Sequence, residues 1–353
     1  WHEVACKRSV RPVQLPAAKW SLLTDILATW TGFPVTLWRK LSLLFDPAAR
    51  TLHREGADLW IFSAYSCVSY LMPVEAVAPI HDLMHRYEKR FPESGNWLTY
   101  RWRERVFKRT CGYCRGILVD SNVGKEHVLE SYHIEPERVF VLPFAPPLFR
   151  NLSDENQIRQ KYDLPQKFLF YPAQLWRHKN HENLLIALAG IKEEYPDIQM
   201  VFSGFGKNNA IQIESLITSL QLDKHVRLLG YVSDSDLGRL YTMARALVMP
   251  TFFGPTNIPP LEAFTLGCPV AVSNIYGMPE QVGDAALLFD PRDSDDIAQC
   301  VVRLWTDDTL CHALIRKGKK RASEWGQKEF NERVHAIIAE IVQRTMLKKG
   351  EPE

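Results

Sequence analysis

Between Gly254 and Ala263 the chain reads Gly-Pro-Thr-Asn-Ile-Pro-Pro-Leu-Glu-Ala. Pro259 and Pro260 suit the first turn of a helix, where a missing N–H costs nothing. The apolar run Ala246–Met249 just upstream predicts a buried strand, so this helix starts at the strand's carboxyl edge. Its amides and partial positive charge then form a seat for an anionic diphosphate. Glu262, one turn in, is placed to accept hydrogen bonds from vicinal hydroxyls such as those of a ribose. The same residues also fit an ordinary helix start with a dipole-favoured glutamate, and geometry alone does not separate the two. A second candidate is His81, in Ile80-His81-Asp82-Leu83-Met84-His85 after a short apolar run. It either faces a cleft or bonds its neighbour Asp82. His85, Arg86 and Glu88 are weaker candidates for an acceptor side.

Such groups need a scaffold, and the hydropathy pattern supplies one. Short, wholly apolar runs at Leu59–Phe62, Ala76–Ile80 and Gly116–Val119 suit strands buried on both faces, as in parallel sheets, and a further strand is expected over Arg138–Leu142. Helical patterns cover Trp20–Trp30, Leu37–Phe45, Trp97–Cys111 and Val123–Tyr132, the last with Ser121 as its N-cap. Beyond Pro143-Phe144-Ala145-Pro146-Pro147 the alternation of strand and helix becomes regular from Phe168 to Phe289. It predicts a parallel sheet wrapped by helices. Helices near Asp295–Trp305 and Lys328–Val342 end the chain. The expected architecture is α/β with two Rossmann-like domains, parallel sheets facing a cleft lined by strand carboxyl ends. The expected division is 1–145, 146–326, and a final helix over 327–353 crossing back to the first domain.

Length and composition agree with this. The 353 residues suggest roughly two domains at ~150 residues each. Hydrophobic residues at 46% and charged residues at 24% exclude a disordered or collagen-like chain. A formal net charge of +2 gives no reason to expect nucleic acid as a partner. The seven cysteines include one isolated CxxC, Cys111 and Cys114. With no second pair this reads as buried thiols in a reducing compartment rather than zinc. No apolar run approaches the ~20 residues of a membrane span, and no signal peptide is visible. The chain starts at Trp1, and its natural beginning is expected further upstream.

Several segments together resemble family 4 glycosyltransferases with the GT-B fold: Tyr171–His181, Ser203–Gly206, Val226–Val232, Gly254–Ala263, Gly267–Asn274 and Gly277–Ala286. The likeness runs from Phe168 to Trp325. It implies that Lys179 neutralises a donor diphosphate, with Arg177 as a second cation for that task. It implies that Gly204 and Gly206 let the backbone approach the nucleotide, that Leu229 and Gly230 pass the base, and that Glu262 binds ribose. His81 would lie beside the donor sugar. Two departures stand out. The family's first Glu of its E-x7-E motif is replaced by Gly254, which leaves sugar recognition to Thr256, Asn257 and amides near Ile258. The family's opening strand and glycine-rich loop are not visible before Leu15.

The resemblance implies a retaining glycosyltransferase. It would move a hexose, mannose first and rhamnose or glucose behind, from a nucleoside diphosphate sugar to a glycan or lipid-linked acceptor. Lys179 and the amides of Asn257 and Ile258 would stabilise the leaving phosphate. No cofactor and no metal are expected. Asp234-Ser235-Asp236 and Asp293-Ser294-Asp295 have the form of a metal-binding DxD but stand where helix caps belong. The expected location is cytoplasmic, with Arg316–Arg321 as a basic run suited to a solvated face or to the inner face of a membrane. A non-catalytic nucleotide-sugar-binding protein and a GT-B sugar-nucleotide epimerase are the competing readings.

Overall fold

The computed structural model describes residue 13, residues 19–206 and residues 209–350. The expected lack of an opening strand and glycine-rich loop before Leu15 falls largely on residues outside these. The chain divides into two compact units, one of Trp1–Lys89, Ser94–Pro143 and Phe330–Glu353, the other of Arg90–Glu93 and Phe144–Glu329.

The first unit opens with three helices, α1 (Lys19–Thr31), α2 (Val35–Phe45) and α3 (Pro47–Glu55). Asp46 caps α3 by accepting the Ala48 N–H at 2.9 Å, with Pro47 in the first turn. Then follow β1 (Trp60–Ile61), α4 (Val68–Leu71), β2 (Ala76–Pro79), α5 (Met84–Tyr87), α6 (Trp97–Tyr113), β3 (Gly116–Val119), α7 (Asn122–Tyr132) and β4 (Val139–Val141). The strands pair in parallel in the order β1-β2-β3-β4, with Val77 opposite Gly116 and Ile117 opposite Val139. Every residue of β2 and β3 is buried, the reason their sequences are apolar throughout rather than alternating. Ser121 is the N-cap of α7 and accepts the Gly124 N–H at 3.0 Å.

The second unit runs through α8 (Glu155–Lys161), β5 (Leu169–Pro172), α9 (His181–Ile191), β6 (Met200–Ser203), α10 (Ala210–Ser219), β7 (Val226–Leu228), α11 (Asp234–Met243), β8 (Ala246–Met249), α12 (Ile258–Leu266), β9 (Val270–Ser273), α13 (Met278–Val282), β10 (Leu287–Phe289), α14 (Ser294–Thr306) and α15 (Asp308–Glu324). Its sheet is wholly parallel in the order β10-β9-β8-β5-β6-β7. Strand order reverses between β5 and β8: the chain leaves β5 toward β6 and leaves β8 toward β9, so the two connections part. In open α/β sheets this reversal opens a crevice at the strands' carboxyl ends, where ligands bind. Helix α16 (Gln327–Gly350) closes the described chain, and from Phe330 it groups with the first unit. There Val334, Ile337 and Ile341 pack against Val77, Leu118, Phe140 and Leu142.

One buried acid tests the first unit's packing. Asp25 is 2% exposed and accepts the Trp38 indole N–H at 3.1 Å. Burial first, and the neighbouring Asp46 second, push its carboxyl up to about 7 from the usual 3.8. The folded state therefore favours the protonated acid. That contribution is fully present below about pH 4 and is lost as pH rises through about 7. The melting temperature of the wild type should fall across this window. Asp25→Asn should remove that slope and melt higher than wild type at pH 8; a wild-type curve that is flat from pH 4 to 7 would contradict the assignment.

Candidate functional site

The loops leaving β5 and β8 meet at the strand-order reversal, and three contacts lock them together. After β5 the chain makes a single 3-10 turn, Arg177–Lys179, ended by Asn180 in the left-handed region. The Asn180 carboxamide donates to the carbonyls of Pro250 and Pro291, both at 2.8 Å. The Phe252 N–H donates to the His178 carbonyl at 2.7 Å. The Tyr171 hydroxyl donates to the Lys179 carbonyl at 3.0 Å. The turn carrying Lys179 is thus held from β5 and from the loop after β8, and the Lys179 Nζ donates to Asn257 Oδ1 at 3.3 Å. His178 and His181 are buried on either side, and burial, with Lys179 as the second cause, holds each imidazole down at about 3. Both are neutral at physiological pH, so the positive charge of this turn is carried by Lys179 and the exposed Arg177.

Asn257 precedes α12, as the proline signal predicts, but its backbone is not available to a ligand. Its N–H donates to Gln281 Oε1 at 3.0 Å, and Gln281 Nε2 donates back to the Asn257 carbonyl at 2.6 Å. The expected phosphate contact from the Asn257 amide is therefore corrected: a side-chain amide from α13 already holds it. Pro259 and Pro260 carry no N–H, which leaves Ile258 and Leu261 as the amide donors of the first turn. Gly254 stands where the resemblance leads one to look for a glutamate, and the loop explains the exchange. Its φ is +151°, and a Cβ there would lie 2.2 Å from Asn257 Nδ2. The Asn257 carboxamide fills the space a side chain would need.

Glu262 is half-buried on α12, and the buried Tyr241 of α11 donates its hydroxyl to Glu262 Oε2 at 2.6 Å. Burial pushes the Glu262 carboxyl up, and the Tyr241 bond opposes that rise. One carboxylate oxygen is thereby fixed. Tyr241 and Gln281 were missed by sequence reasoning. Each lies more than twenty residues from its partner (|i−j| of 21 and 24), so no local spacing signals either pairing.

The other expected residues are distributed as follows. Thr256 lies in the loop between β8 and α12. Gly204 follows β6, and its requirement is internal: a Cβ would sit 2.4 Å from the Ala173 carbonyl oxygen at a φ of +138°. Gly206 lies against Ala210. Leu229 and Gly230 follow β7, with the Leu229 N–H held by the Phe202 carbonyl at 2.9 Å. His81 belongs to the first unit, at the carboxyl end of β2, and burial lowers its imidazole from the usual value while Asp82 raises it. His85 and Arg86 are consumed by Glu104: His85 Nε2 lies 2.7 Å from Oε1, and the Arg86 guanidinium pairs with both oxygens.

Arg90–Glu93 is the part of this site least visible in the sequence. Glu93 Oε1 accepts the Arg177 N–H at 2.7 Å, and its Oε2 lies 3.6 Å from His178 Nδ1. Phe91 stacks on Phe252 with centroids 5.5 Å apart, and the Arg90 guanidinium lies 4.6 and 4.7 Å from the two rings. The segment thus braces the turn that presents Lys179.

The motifs set aside behave as helix punctuation. Ser233 is the N-cap of α11 and accepts the Asp236 N–H, while Asp236 receives Ser153, Lys161 and Tyr162. Asp293 caps α14 by accepting the N–H groups of Asp295 and Asp296. Among the described residues no group of three His, Cys, Asp or Glu side chains is placed to hold a metal ion. Cys111 and Cys114 are buried free thiols, pushed up to about 12 and about 11 by burial. In the basic run, Lys317 pairs with Asp284, Lys320 with Glu324, and Arg321 donates to the carbonyls of Glu280 and Gln281. Among the described residues no helix is long and apolar enough to cross a membrane.

Comparison with known proteins agrees with this geometry. Residues 154–321 match the family described as Glycosyl transferases group 1. The O-antigen chain mannosyltransferase B of Escherichia coli is 28% identical over 319 residues, covering 86% of this chain and 81% of that protein. Sucrose-phosphate synthase from Thermosynechococcus elongatus superposes with a TM-score of 0.68 at 18% identity, over 84% of this chain and 77% of its own. Anabaena Alr3699/HepE, solved in complex with UDP-glucose, gives 0.68 at 17% identity, over 92% and 96%. Together these likenesses support a glycosyltransferase enzyme built on the GT-B fold, with the group 1 family match confined to residues 154–321.

The Gly254 exchange yields a direct prediction. Installing the family's acid as Gly254→Glu should cost about 1–3 kcal/mol of stability through backbone strain and displacement of Asn257. Thermal unfolding checks this; a variant as stable as wild type would show that the loop accommodates a side chain.

Proposed function

We propose that the chain moves a hexose, with mannose first and rhamnose or glucose behind, from a nucleoside diphosphate sugar to a hydroxyl of a glycan or lipid-linked acceptor, with retention at the anomeric carbon. The observation that carries this is the Lys179 ammonium against Asn257, beside the start of α12, at the strand-order reversal. A donor diphosphate seated there meets one full positive charge and the Ile258 N–H, so charge growing on its leaving oxygen is met by groups already in place. In this reading the bond between the anomeric carbon and the phosphate oxygen breaks, and its electron pair stays on the phosphate. The acceptor oxygen bonds the carbon on the same face, and its proton passes to the leaving phosphate. This scheme uses neither metal nor cofactor. Glu262 takes the ribose hydroxyls on the oxygen that Tyr241 leaves open. The resemblance gives Arg177 a place by the phosphates, Thr256 a place by the sugar, and His81 the place beside the transferred hexose.

The name of the Escherichia coli relative supports mannose, and the UDP-glucose complex of the Anabaena protein supports a nucleotide-linked donor. Peripheral membrane contact, expected at the basic run, finds better support on α2. There Leu37, Leu41 and Leu44 stand exposed at helical spacing beside Lys40.

Incubation with nucleoside diphosphate mannose, rhamnose and glucose should release nucleotide in an acceptor-dependent way. Lys179→Ala should lower kcat/KM by about 10²–10³. Binding without turnover on any donor and acceptor would favour the silent binding protein, which the glycine at 254 also fits. Tyr241→Phe should weaken nucleotide diphosphate binding, and more at pH 6 than at pH 8. Without the hydroxyl, the Glu262 carboxyl rises further and is protonated earlier as pH falls. Calorimetric titration at the two pH values checks the direction; equal losses would remove the titration argument.

A further inference from the structure

Asn257 stands beside the ammonium on which the scheme above relies, and it is largely occupied by the protein itself. Its Oδ1 accepts Lys179 Nζ at 3.3 Å, and its Nδ2 donates to Met278 Sδ at 3.2 Å. An ammonium only donates and a thioether sulfur only accepts, so the two neighbours fix which end of the carboxamide faces which. Its backbone N–H and carbonyl are both paired with the Gln281 side chain, at 3.0 and 2.6 Å. The residue is 9% exposed. Each polar atom of Asn257 is thus engaged within the protein, and the one that meets a charge is turned to Lys179.

Gln281 is held in its turn. It lies on α13, a helix of five residues, whose last carbonyls have no partner inside the helix. Arg321 of α15 donates to the carbonyls of Glu280 and Gln281 and so closes that end. Gly283 stops the helix at a φ of +54°, and a Cβ there would lie 2.9 Å from a guanidinium nitrogen of Arg321. The last residue of the basic run thereby anchors α13, and through Gln281 and Asn257 the anchorage reaches the lysine. We propose that Gln281 is a positioning residue for Lys179: by clamping both sides of the Asn257 backbone it keeps a neutral acceptor against the ammonium. A carboxylate at 257 would hold the lysine equally but oppose its charge, whereas a carboxamide leaves that charge whole for a diphosphate. A long side chain loses freedom when it binds an anion, and one already confined loses less. The proposal rests on the diphosphate reading given above and adds the residue that sets up its cation.

The test is the dissociation constant of inorganic pyrophosphate, measured by calorimetry at low ionic strength on the full chain. The variants are Gln281→Leu, Gln281→Glu, Lys179→Ala and the double change Gln281→Leu with Lys179→Ala; circular dichroism checks that each is folded. Gln281→Leu keeps the bulk of the side chain without its bonds, and should bind pyrophosphate roughly three- to tenfold more weakly than wild type. On the Lys179→Ala background the same change should add no loss, because Gln281 acts through the lysine. Gln281→Glu supplies the pH profile. A protonated carboxyl offers one acceptor and one donor, as the carboxamide does, whereas a carboxylate only accepts and would face the Asn257 carbonyl. Its affinity relative to wild type should recover toward pH 5 and fall toward pH 8, while the ratio for Gln281→Leu stays level. Wild type at each pH removes the titration of pyrophosphate and of the charged neighbours Glu280, Arg321 and Lys179. Wild-type affinity in Gln281→Leu overturns the proposal, and so does a loss of equal size with and without Lys179, which marks a general structural role. A Gln281→Glu ratio that is the same at both pH values overturns the two-sided clamp. Failure of the diphosphate reading shows separately, as pyrophosphate affinity that Lys179→Ala leaves unchanged.

Discussion

The site depends on one ammonium group held at one place. Lys179 has a flexible stem, and a lysine in a loop ordinarily spends its charge on solvent. Here its carbonyl accepts the Tyr171 hydroxyl, the His178 carbonyl accepts the Phe252 N–H, the Asn180 carboxamide donates to the Pro250 carbonyl, and its Nζ meets Asn257. Two buried imidazoles beside it are kept neutral. The charge is therefore placed by the fold itself, which is what the proposed scheme asks of it.

Around that charge the chain departs from the family it resembles in a consistent way. With Gly254 in place of an acid, no carboxylate opposes Lys179 from that loop, and Asn257 turns inward to occupy the vacated volume. The Asn257 amide is then committed to Gln281, and two prolines remove further donors. The helix tip is poorer in N–H groups than its position alone implies, so the proposed scheme leans more on the lysine.

Much of the scaffold was legible in the sequence, for reasons that are local. Gly116–Val119, Ala246–Met249 and Val270–Ser273 are strands at the bounds expected from their apolar runs, because burial on both faces admits nothing else. Ser121 and the Pro259-Pro260 pair mark helix starts for equally local reasons. Among the described residues, six helices escaped: α3, α4, α5, α8, α13 and α15. In α15 the stretch Arg316–Arg321 masks the helical stripe, and Gly318 there is a packing residue, since a Cβ would lie 2.6 Å from the Phe264 ring. In α3 the nine residues are too few for periodicity to speak, although Asp46-Pro47 announces the start. Within the site, Lys179, Asn257 and Glu262 could be named from resemblance, whereas Gln281, Tyr241 and Glu93 could not. Their partners are supplied by tertiary packing, and spacing along the chain carries no trace of it.

Glu93 bears on how this protein can be rearranged. Arg90–Glu93 lies more than fifty positions upstream of Phe144, yet it groups with Phe144–Glu329 and caps the Arg177 peptide. Chimeras that join residues 144–329 to a foreign amino-terminal half would leave Phe252 and the Arg177 N–H uncovered unless this tetrapeptide travels with them. The unit of exchange is discontinuous, and a splice chosen at the proline-rich stretch alone would cut through the support of its own lysine.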